Sequence, residues 1–175
     1  MGDSFFEKIL VPVDGSHSCL HAEEYAAMVA KGFASEVTVL HVIPHGIIDS
    51  ALSTRPRLPG SISQEIEGWL RQTGTRVLED AQALFTEEGI AVEGKLTEHV
   101  DPAEIIIETA KSGNFNLVIM GNRGTSGVED FSLGSVAEKV SRHVDRPVLI
   151  VKKKTKTSRI LIAFDGSQHA KKALQ

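Results

Sequence analysis

Short apolar runs alternate along the chain with segments in which apolar residues recur every three or four positions. Most of the runs are rich in β-branched residues, which is typical of strands buried on both faces of a parallel sheet. Five strands are predicted, at residues 9–13, 36–43, 90–98, 117–120 and 146–152. Because helical segments alternate with these strands, the pattern predicts an α/β fold with helices on both faces of a parallel sheet.

The first two predicted helices have a recognisable start and an apolar stripe. Ser16 or Ser18 is expected to cap the first helix, and Ser61 with Gln64 has the spacing of a capping box for the second, which Gly89 ends. The inward-facing residues are predicted to be Ala22, Tyr25, Ala26, Val29 and Phe33, and then Ile66, Leu70, Thr73, Val77, Ala81 and Leu84. Gly68 and Gly74 are expected to weaken the second helix by ~1 kcal/mol each if fully exposed.

The third and fourth helices are shorter. Asp101 is expected to cap the third helix ahead of Pro102, and Gly113 to close it. The fourth is predicted over residues 135–143, with Ser135 and Glu138 spaced as a capping box. Between residues 44 and 63 the helical and strand patterns stop, which predicts a long loop, either a flexible flap or a lid over a ligand.

The end of the chain repeats its beginning. Residues 159–167 copy residues 8–16 at an offset of 151 positions, after a polar and basic stretch. We therefore predict a main domain at residues 1–152, a basic linker at 153–158 and the start of a second, truncated copy at 159–175. The apolar run at 160–164 is expected to pair with a sheet edge, to swap into a partner or to stay disordered.

A glycine-bearing loop connects the fourth strand to the fourth helix, with glycines at positions 121, 124, 127 and 134. The first amides of a helix have no partner within the helix, and the helix dipole places partial positive charge there. Glycine allows the backbone to approach an anion closely. The loop is therefore interpreted as a phosphate-binding loop.

The spacing Gly121-x2-Gly124-x9-Gly134-Ser135 resembles the nucleotide-binding signature of the universal stress protein (UspA-like) family. The opening from Lys8 to Ser16 resembles that family's first strand and turn, and the resemblance extends to about Lys152. Members that keep the full spacing are known as ATP binders. The expected fold is an open five-stranded parallel sheet in the order 3-2-1-4-5, a Rossmann-like adenine-nucleotide-binding fold.

The resemblance also implies roles for individual residues. Ligands of open parallel sheets lie beyond the carboxyl ends of the strands, where the strand order reverses, and here the first and fourth strands meet at that point. The implied nucleotide-binding residues are Pro12, Val13, Asp14, Val42, Met120, Gly121, Asn122, Arg123, Gly124, Gly134, Ser135 and Val136. Two structural alternatives stay open: Asp14 caps the following turn, and the glycines serve only a tight, closely packed turn.

Composition and charge exclude several classes of partner and location. A net charge of −4 disfavours a general nucleic-acid partner, and no run is long enough to cross a membrane. The single cysteine, Cys19, suits a reducing compartment, so a cytoplasmic location is expected. His17 and His21 have a metal-ligand spacing without a third ligand, so no metal site is predicted. Cys19 is expected to be a passive, half-buried thiol and His41 a satisfied core histidine.

Three functions remain open. The first is an ATP-binding regulatory protein of the stress response, with slow or no hydrolysis and with Mg or Mn as an optional companion of ATP. The second is a slow ATPase or phosphotransferase, although no nucleophile paired with a base is visible in the sequence. The third is a nucleotide-free dimeric interaction module. A homodimer through the fifth strand is expected under any of them.

Overall fold

The computed structural model describes residues 5–44, 60–124, 133–153 and 159–172. Five strands and five helices follow one another in this part of the chain. They are β1 (Lys8–Pro12), α1 (His17–Phe33), β2 (Glu36–Pro44), α2 (Gly60–Glu87), β3 (Val92–His99), α3 (Pro102–Ser112), β4 (Leu117–Gly121), α4 (Ser135–His143), β5 (Val148–Val151) and α5 (Gln168–Lys172). Each predicted strand is confirmed, with ends that differ by at most two residues.

The five strands form one parallel sheet in the order β3-β2-β1-β4-β5, as predicted. Residues of α1 and α2, such as Ala22 and Phe85, belong to the core on one face. Residues of α3 and α4, such as Ile106 and Val140, belong to the core on the other face. The order reverses between β1 and β4, so any crevice formed there opens at the carboxyl ends of these two strands.

The starts of α1 and α3 are confirmed in detail. Ser16 caps α1 by accepting a hydrogen bond from the Cys19 amide at 3.2 Å. Asp101 caps α3 by accepting from the Ala103 amide at 2.9 Å, with Pro102 in the first helical turn. Lys139 of α4 donates to Glu104 of α3 at 3.0 Å and also to Asp101, so the two helices on this face are tied together.

The prediction for α2 was wrong in two respects. The helix begins at Gly60, before the expected capping position at Ser61. Thr73, which was predicted to face inward, is exposed, whereas Ala81 is buried and Val77 and Leu84 pack against the core as predicted. Gly74, Leu78 and Phe85 complete the buried face. The 28-residue helix is ~42 Å long, longer than the strands it packs on, and most of the described side chains in its first half are exposed. Trp69, in that half, is 62% exposed. The predicted loop before α2 lies, at residues 45–59, outside the described residues.

Phe33 was also misplaced, because it is 43% exposed and meets Phe6 edge-on with ring centroids 5.1 Å apart. The buried face of α1 also includes a residue that was not predicted, Glu23, at 3% exposure. A carboxylate on an apolar face could not be expected from the spacing of apolar residues.

Two glycines of α2 are expected to respond in opposite directions to alanine. A Cβ at Gly68 would meet nothing within 4 Å, so Gly68→Ala should raise the free energy of unfolding by about 1 kcal/mol. A Cβ at Gly74 would lie 2.8 Å from His41 Cδ2, so Gly74→Ala should lower it by about 1–2 kcal/mol despite the better helix propensity. Urea unfolding of both variants measures the difference, and a gain of stability at Gly74 would show that the contact with His41 is loose.

The second copy of the opening sequence does not join the sheet. Residues 160–164 form no strand within the described part of the chain, and Leu161 is 96% exposed, whereas its counterpart Leu10 is fully buried. Pairing with an edge of this chain's own sheet is therefore not seen. The turn that follows nevertheless repeats the first turn closely. The Ser167 amide donates to Asp165 Oδ1 at 2.8 Å, as the Ser16 amide donates to Asp14 Oδ1 at 3.0 Å.

Candidate functional site

The carboxyl ends of β1 and β4 lie side by side where the strand order reverses, which is where a doubly wound sheet is expected to form its ligand crevice. The two strands pair at Ile9 with Leu117 and at Leu10 with Val118, and both then continue beyond the paired stretch. Asp14 follows the end of β1, and Gly121 ends β4. The structure therefore brings the two predicted halves of the site to one edge of the sheet. The middle of the glycine loop, residues 125–132, lies outside the described residues.

Two glycines of the loop are in close contact with the other half of the site. A Cβ at Gly121 would lie 2.8 Å from the carbonyl carbon of Ser18. A Cβ at Gly124 would lie 2.4 Å from Asp14 Oδ2. Gly121 therefore requires glycine for packing against the backbone of α1, whether or not a ligand is bound, whereas at Gly124 only the end of the Asp14 side chain would have to move.

Ser16 and Ser18 connect the start of α1 to the glycine loop, a role that the sequence analysis missed. Ser18 Oγ donates to Asn122 Oδ1 at 2.7 Å and accepts from the Asn122 amide at 3.1 Å. Ser16 Oγ lies 3.3 Å from the carbonyl oxygen of Arg123, to which it donates. The serines had been considered only as helix caps, and no spacing in the sequence shows that the same hydroxyls face a loop a hundred residues away.

The start of α4 carries the property expected of a phosphate site. The predicted capping box is wrong, because the N-cap residue is Gly134, which has no side chain to cap the helix, and Ser135 is already helical. The Gly134 amide donates to the carbonyl oxygen of Asn122 at 2.8 Å, which holds the helix start beside the end of β4. Within the described residues, the first amides of α4 therefore have no capping side chain. They lie at the carboxyl-end edge of the sheet, and a helix start of this kind favours an anion.

The adenosine side of the predicted site consists of strand ends. Val13 and Met120 are 4% and 5% exposed and belong to the cores, so only their main chains border the crevice. Val42, at the end of β2, and Val136, in the first turn of α4, are half-buried against the second core. The His41 ring is bonded to the Val13 carbonyl at 2.7 Å, which confirms a satisfied histidine.

Helix α1, which follows Asp14, contains a buried thiol, Cys19, and a buried carboxyl group, Glu23. Cys19 is 2% exposed rather than half-buried, and its thiol donates to Glu23 Oε1 at 3.2 Å. Burial, and then the charge of Glu23, raise the pKa of the Cys19 thiol far above its ordinary value, so it is unreactive. Burial is also the main reason why the pKa of Glu23 is raised, with repulsion from Asp14, Asp80 and Glu24 adding to it and the Cys19 thiol opposing it.

The described ranges contain no group of three or more His, Cys, Asp or Glu side chains that could hold a metal ion. His17 is exposed, and His21 lies 3.7 Å from Glu24. A separate open cleft of about 550 Å³, bordered by Leu40, Lys95 and Glu108, contains none of the predicted site residues. No helix within the described ranges is long and apolar enough to cross a membrane.

The fold and this site define a doubly wound α/β protein. The start of α4, which favours an anion, lies at its switch point, the place between β1 and β4 where the strand order reverses. The model of the universal stress protein family matches residues 5–152, so the chain belongs to this family. It is 35% identical over 89% of its length to universal stress protein MJ0531 of Methanocaldococcus jannaschii, of which the alignment covers 87%. It is 34% identical over 84% of its length to universal stress protein YxiE of Bacillus subtilis, of which the alignment covers 99%.

Solved structures agree with this fold. The structure of protein MJ0577 matches with a TM-score of 0.72 and 27% identity, covering 87% of this chain and 99% of that one. More distant matches, at 18% and 21% identity, show the fold alone. One is a universal stress protein family protein of Arabidopsis thaliana with AMP bound, with a TM-score of 0.60, covering 87% of this chain and 95% of that one. The other is the universal stress protein of Archaeoglobus fulgidus in complex with dAMP, with a TM-score of 0.56, covering 85% of this chain and 99% of that one.

Proposed function

We propose that this protein binds ATP as a regulatory module of the stress response, with slow or no hydrolysis. The observation that carries the proposal is the start of α4, which no side chain of the described residues caps and which a hydrogen bond from the Gly134 amide to the Asn122 carbonyl holds where the strand order reverses. A triphosphate would accept hydrogen bonds from the amides of Ser135 and Val136 in the first turn of this helix. Structures of distant family members with AMP and dAMP bound support an adenine nucleotide as the ligand.

The remaining residues of the site would act on the adenosine and on the loop. Asp14 and the main chains of Pro12, Val13 and Val42 would receive the adenosine at the strand ends. Gly121 and Gly124 keep the loop close to α1, and Arg123, which is half-buried, would add positive charge near the phosphates. Mg or Mn would act as a companion ion of the triphosphate. A cytoplasmic location belongs to the same proposal and rests on the composition of the chain.

ATP is expected to raise the melting temperature through mass action on the native state. At a concentration 100 times the dissociation constant, the gain is ~2.7 kcal/mol. Melting curves with ATP, ADP, AMP or no nucleotide, each with magnesium, measure it, and phosphate release from the same samples measures hydrolysis. Gly134→Val should abolish the shift, because even a Cβ at Gly134 would lie 3.2 Å from Arg123 Cα, whereas Gly68→Ala should keep it. Rapid phosphate release would instead indicate an ATPase.

A nucleotide-free module is the second candidate, because the contact of Gly121 with the backbone of α1 explains this glycine without a ligand. The absence of a melting shift at millimolar ATP in a folded protein would favour this candidate.

We also propose a homodimer through β5, which forms an edge of the sheet. The Val151 carbonyl accepts a hydrogen bond from the Asn122 amide, one residue beyond β4, so by alternation the main-chain groups of Val148 and Ile150 point away from the sheet. An open apolar edge favours pairing with a second strand. Val148→Pro removes an outward donor at the first strand residue, where proline is tolerated, and should convert a dimer into a monomer in sedimentation experiments. An unchanged dimer would place the interface elsewhere.

The division of the chain is part of the proposal as well. Residues 1–152 would form the nucleotide-binding domain, 153–158 a linker, and 159–175 the opening of a second copy. The repeated turn supports this division, since Gly15 and Gly166 have φ values of 76° and 77° and the Ala170 amide donates to Ser167 Oγ at 3.1 Å.

A further inference from the structure

The ladder of hydrogen bonds between β1 and β2 ends one hydrogen bond earlier than the positions of the two chains would allow. The last pair in the register is Pro12 with Leu40, and the Val13 amide then donates to the Leu40 carbonyl at 2.9 Å. In a regular parallel ladder, a residue whose amide donates to residue j of the partner strand accepts, at its own carbonyl, from the amide of residue j+2. The Val13 carbonyl would therefore accept from the Val42 amide, but the register of β1 and β2 ends before this bond.

The main-chain groups of Val42 nevertheless point to the side of β2 on which β1 lies, as this hydrogen bond requires. The Glu36 amide donates to Glu7, on the β1 side, whereas the Val37 amide donates to Ala91, on the β3 side. Main-chain groups alternate along a strand, so those of Val42 point to the same side as those of Glu36 and Leu40. The N–H and C=O of Val42 therefore point past the end of β1, toward the crevice.

The His41 side chain takes the position that the Val42 amide would otherwise fill. His41 Nδ1 lies 2.7 Å from the Val13 carbonyl oxygen. A carbonyl oxygen only accepts hydrogen bonds, so Nδ1 carries the hydrogen and donates. The ring lies against the bare backbone of α2 at Gly74, where a Cβ would be 2.8 Å from Cδ2 and 3.0 Å from Nε2.

We propose that His41 is a positioning residue for adenine: by holding the Val13 carbonyl, it ends the β1–β2 ladder and leaves the Val42 N–H and C=O free to recognise a 6-aminopurine. The N–H donates to the ring nitrogen N1, and the C=O accepts from the 6-amino group. A 6-oxopurine presents the opposite pattern, a donor at N1 and an acceptor at position 6, and is rejected. The ligand in this inference rests on the proposed nucleotide function, whereas the role of His41 at the ladder end does not.

The binding test compares ATP with inosine triphosphate in four variants. His41→Leu removes the donor, and Gly74→Ala displaces the ring without changing it. Both should weaken ATP binding about tenfold, the value of one net hydrogen bond at the upper end of the usual range, and should bring the ATP and inosine triphosphate affinities close together. His41→Asn keeps a donor near the Nδ1 position and should retain most of the preference, and Gly68→Ala should bind as the wild type does. An unchanged preference in folded His41→Leu would overturn the proposal.

Amide exchange measured by NMR in the nucleotide-free protein tests the same geometry independently of ATP. The Val42 amide should exchange rapidly in the wild type and become protected in His41→Leu, or in Gly74→Ala if the leucine variant does not fold, because the ladder then closes onto Val13. The nitrogen shifts of His41 should show the tautomer with hydrogen on Nδ1. A protected Val42 amide in the wild type would refute the role of His41. A wild type that binds no nucleotide but shows the expected exchange would refute the ATP proposal and the adenine assignment while the role of His41 at the ladder stands.

Discussion

Gly121→Ala is expected to lower the free energy of unfolding by about 3 kcal/mol, at the upper end of the usual cost of overpacking. The new Cβ would lie 2.8 Å from the Ser18 carbonyl carbon and 2.9 Å from its oxygen. These are backbone atoms in the first turn of α1, which the Ser16 cap and the bonds between Ser18 and Asn122 hold in place. The clash therefore cannot be relieved by a side-chain rotation. Urea unfolding measures the loss.

The same substitution should also abolish ATP binding at temperatures where the variant is still folded, because moving α1 away from β4 displaces Asn122 and, through it, the start of α4. Gly124→Ala is the matched control. Its Cβ would meet only the Asp14 carboxylate, at the end of a short side chain that can rotate, so we expect near-native stability and weakened binding. Equal stability of Gly121→Ala and Gly124→Ala would show that α1 does not clamp the loop.

The sheet was predictable because its strands are short apolar runs, and burial on both faces allows few other residue types at these positions. Ile9, Leu10 and Val11 of β1 are fully buried, and Val118 and Ile119 of β4 are too. A strand with both faces covered must be apolar along its length, so the pattern alone locates it. The caps at Ser16 and Asp101 were predictable for a similar reason, since a cap depends on neighbours within three residues.

The errors arose where distant parts of the chain determine a residue's role. Gly74 was interpreted as a weakness of α2, but His41 of β2 occupies the space that its side chain would need. Ser18 was considered as a helix cap, but it bonds to Asn122. The capping box at Ser135 failed because the loop brings Gly134 to the N-cap position through a bond to Asn122. Spacing along the chain carries no information on such contacts.

Glu23 is the other feature that the apolar pattern concealed, and replacing it should stabilise the protein at neutral pH. Its side chain is 3% exposed, its hydrogen-bond donor is the Cys19 thiol, and Asp14 and Asp80 oppose its negative charge. Burial raises the pKa of Glu23, so the folded state binds this proton more tightly than the unfolded state does. The favourable contribution is therefore complete below about pH 4.3, the pKa of a glutamate in water, and is lost as pH rises through the pKa of the folded state.

The expected result is a pH-dependent difference between Glu23→Gln and the wild type. At pH 8 the variant should be more stable by on the order of 1–3 kcal/mol, the cost of a poorly satisfied buried polar group, because the amide oxygen still accepts from the Cys19 thiol without carrying a charge. At pH 4 the two proteins should differ little, since Glu23 is then protonated in the folded state. Urea unfolding at pH 4, 6 and 8 measures this difference, in which the other titrating groups cancel. Glu65→Gln, on the exposed side of α2, is the control. A Glu23→Gln variant that is less stable than the wild type at pH 8 would mean that the carboxylate has a cationic or donor partner strong enough to hold its charge inside the fold.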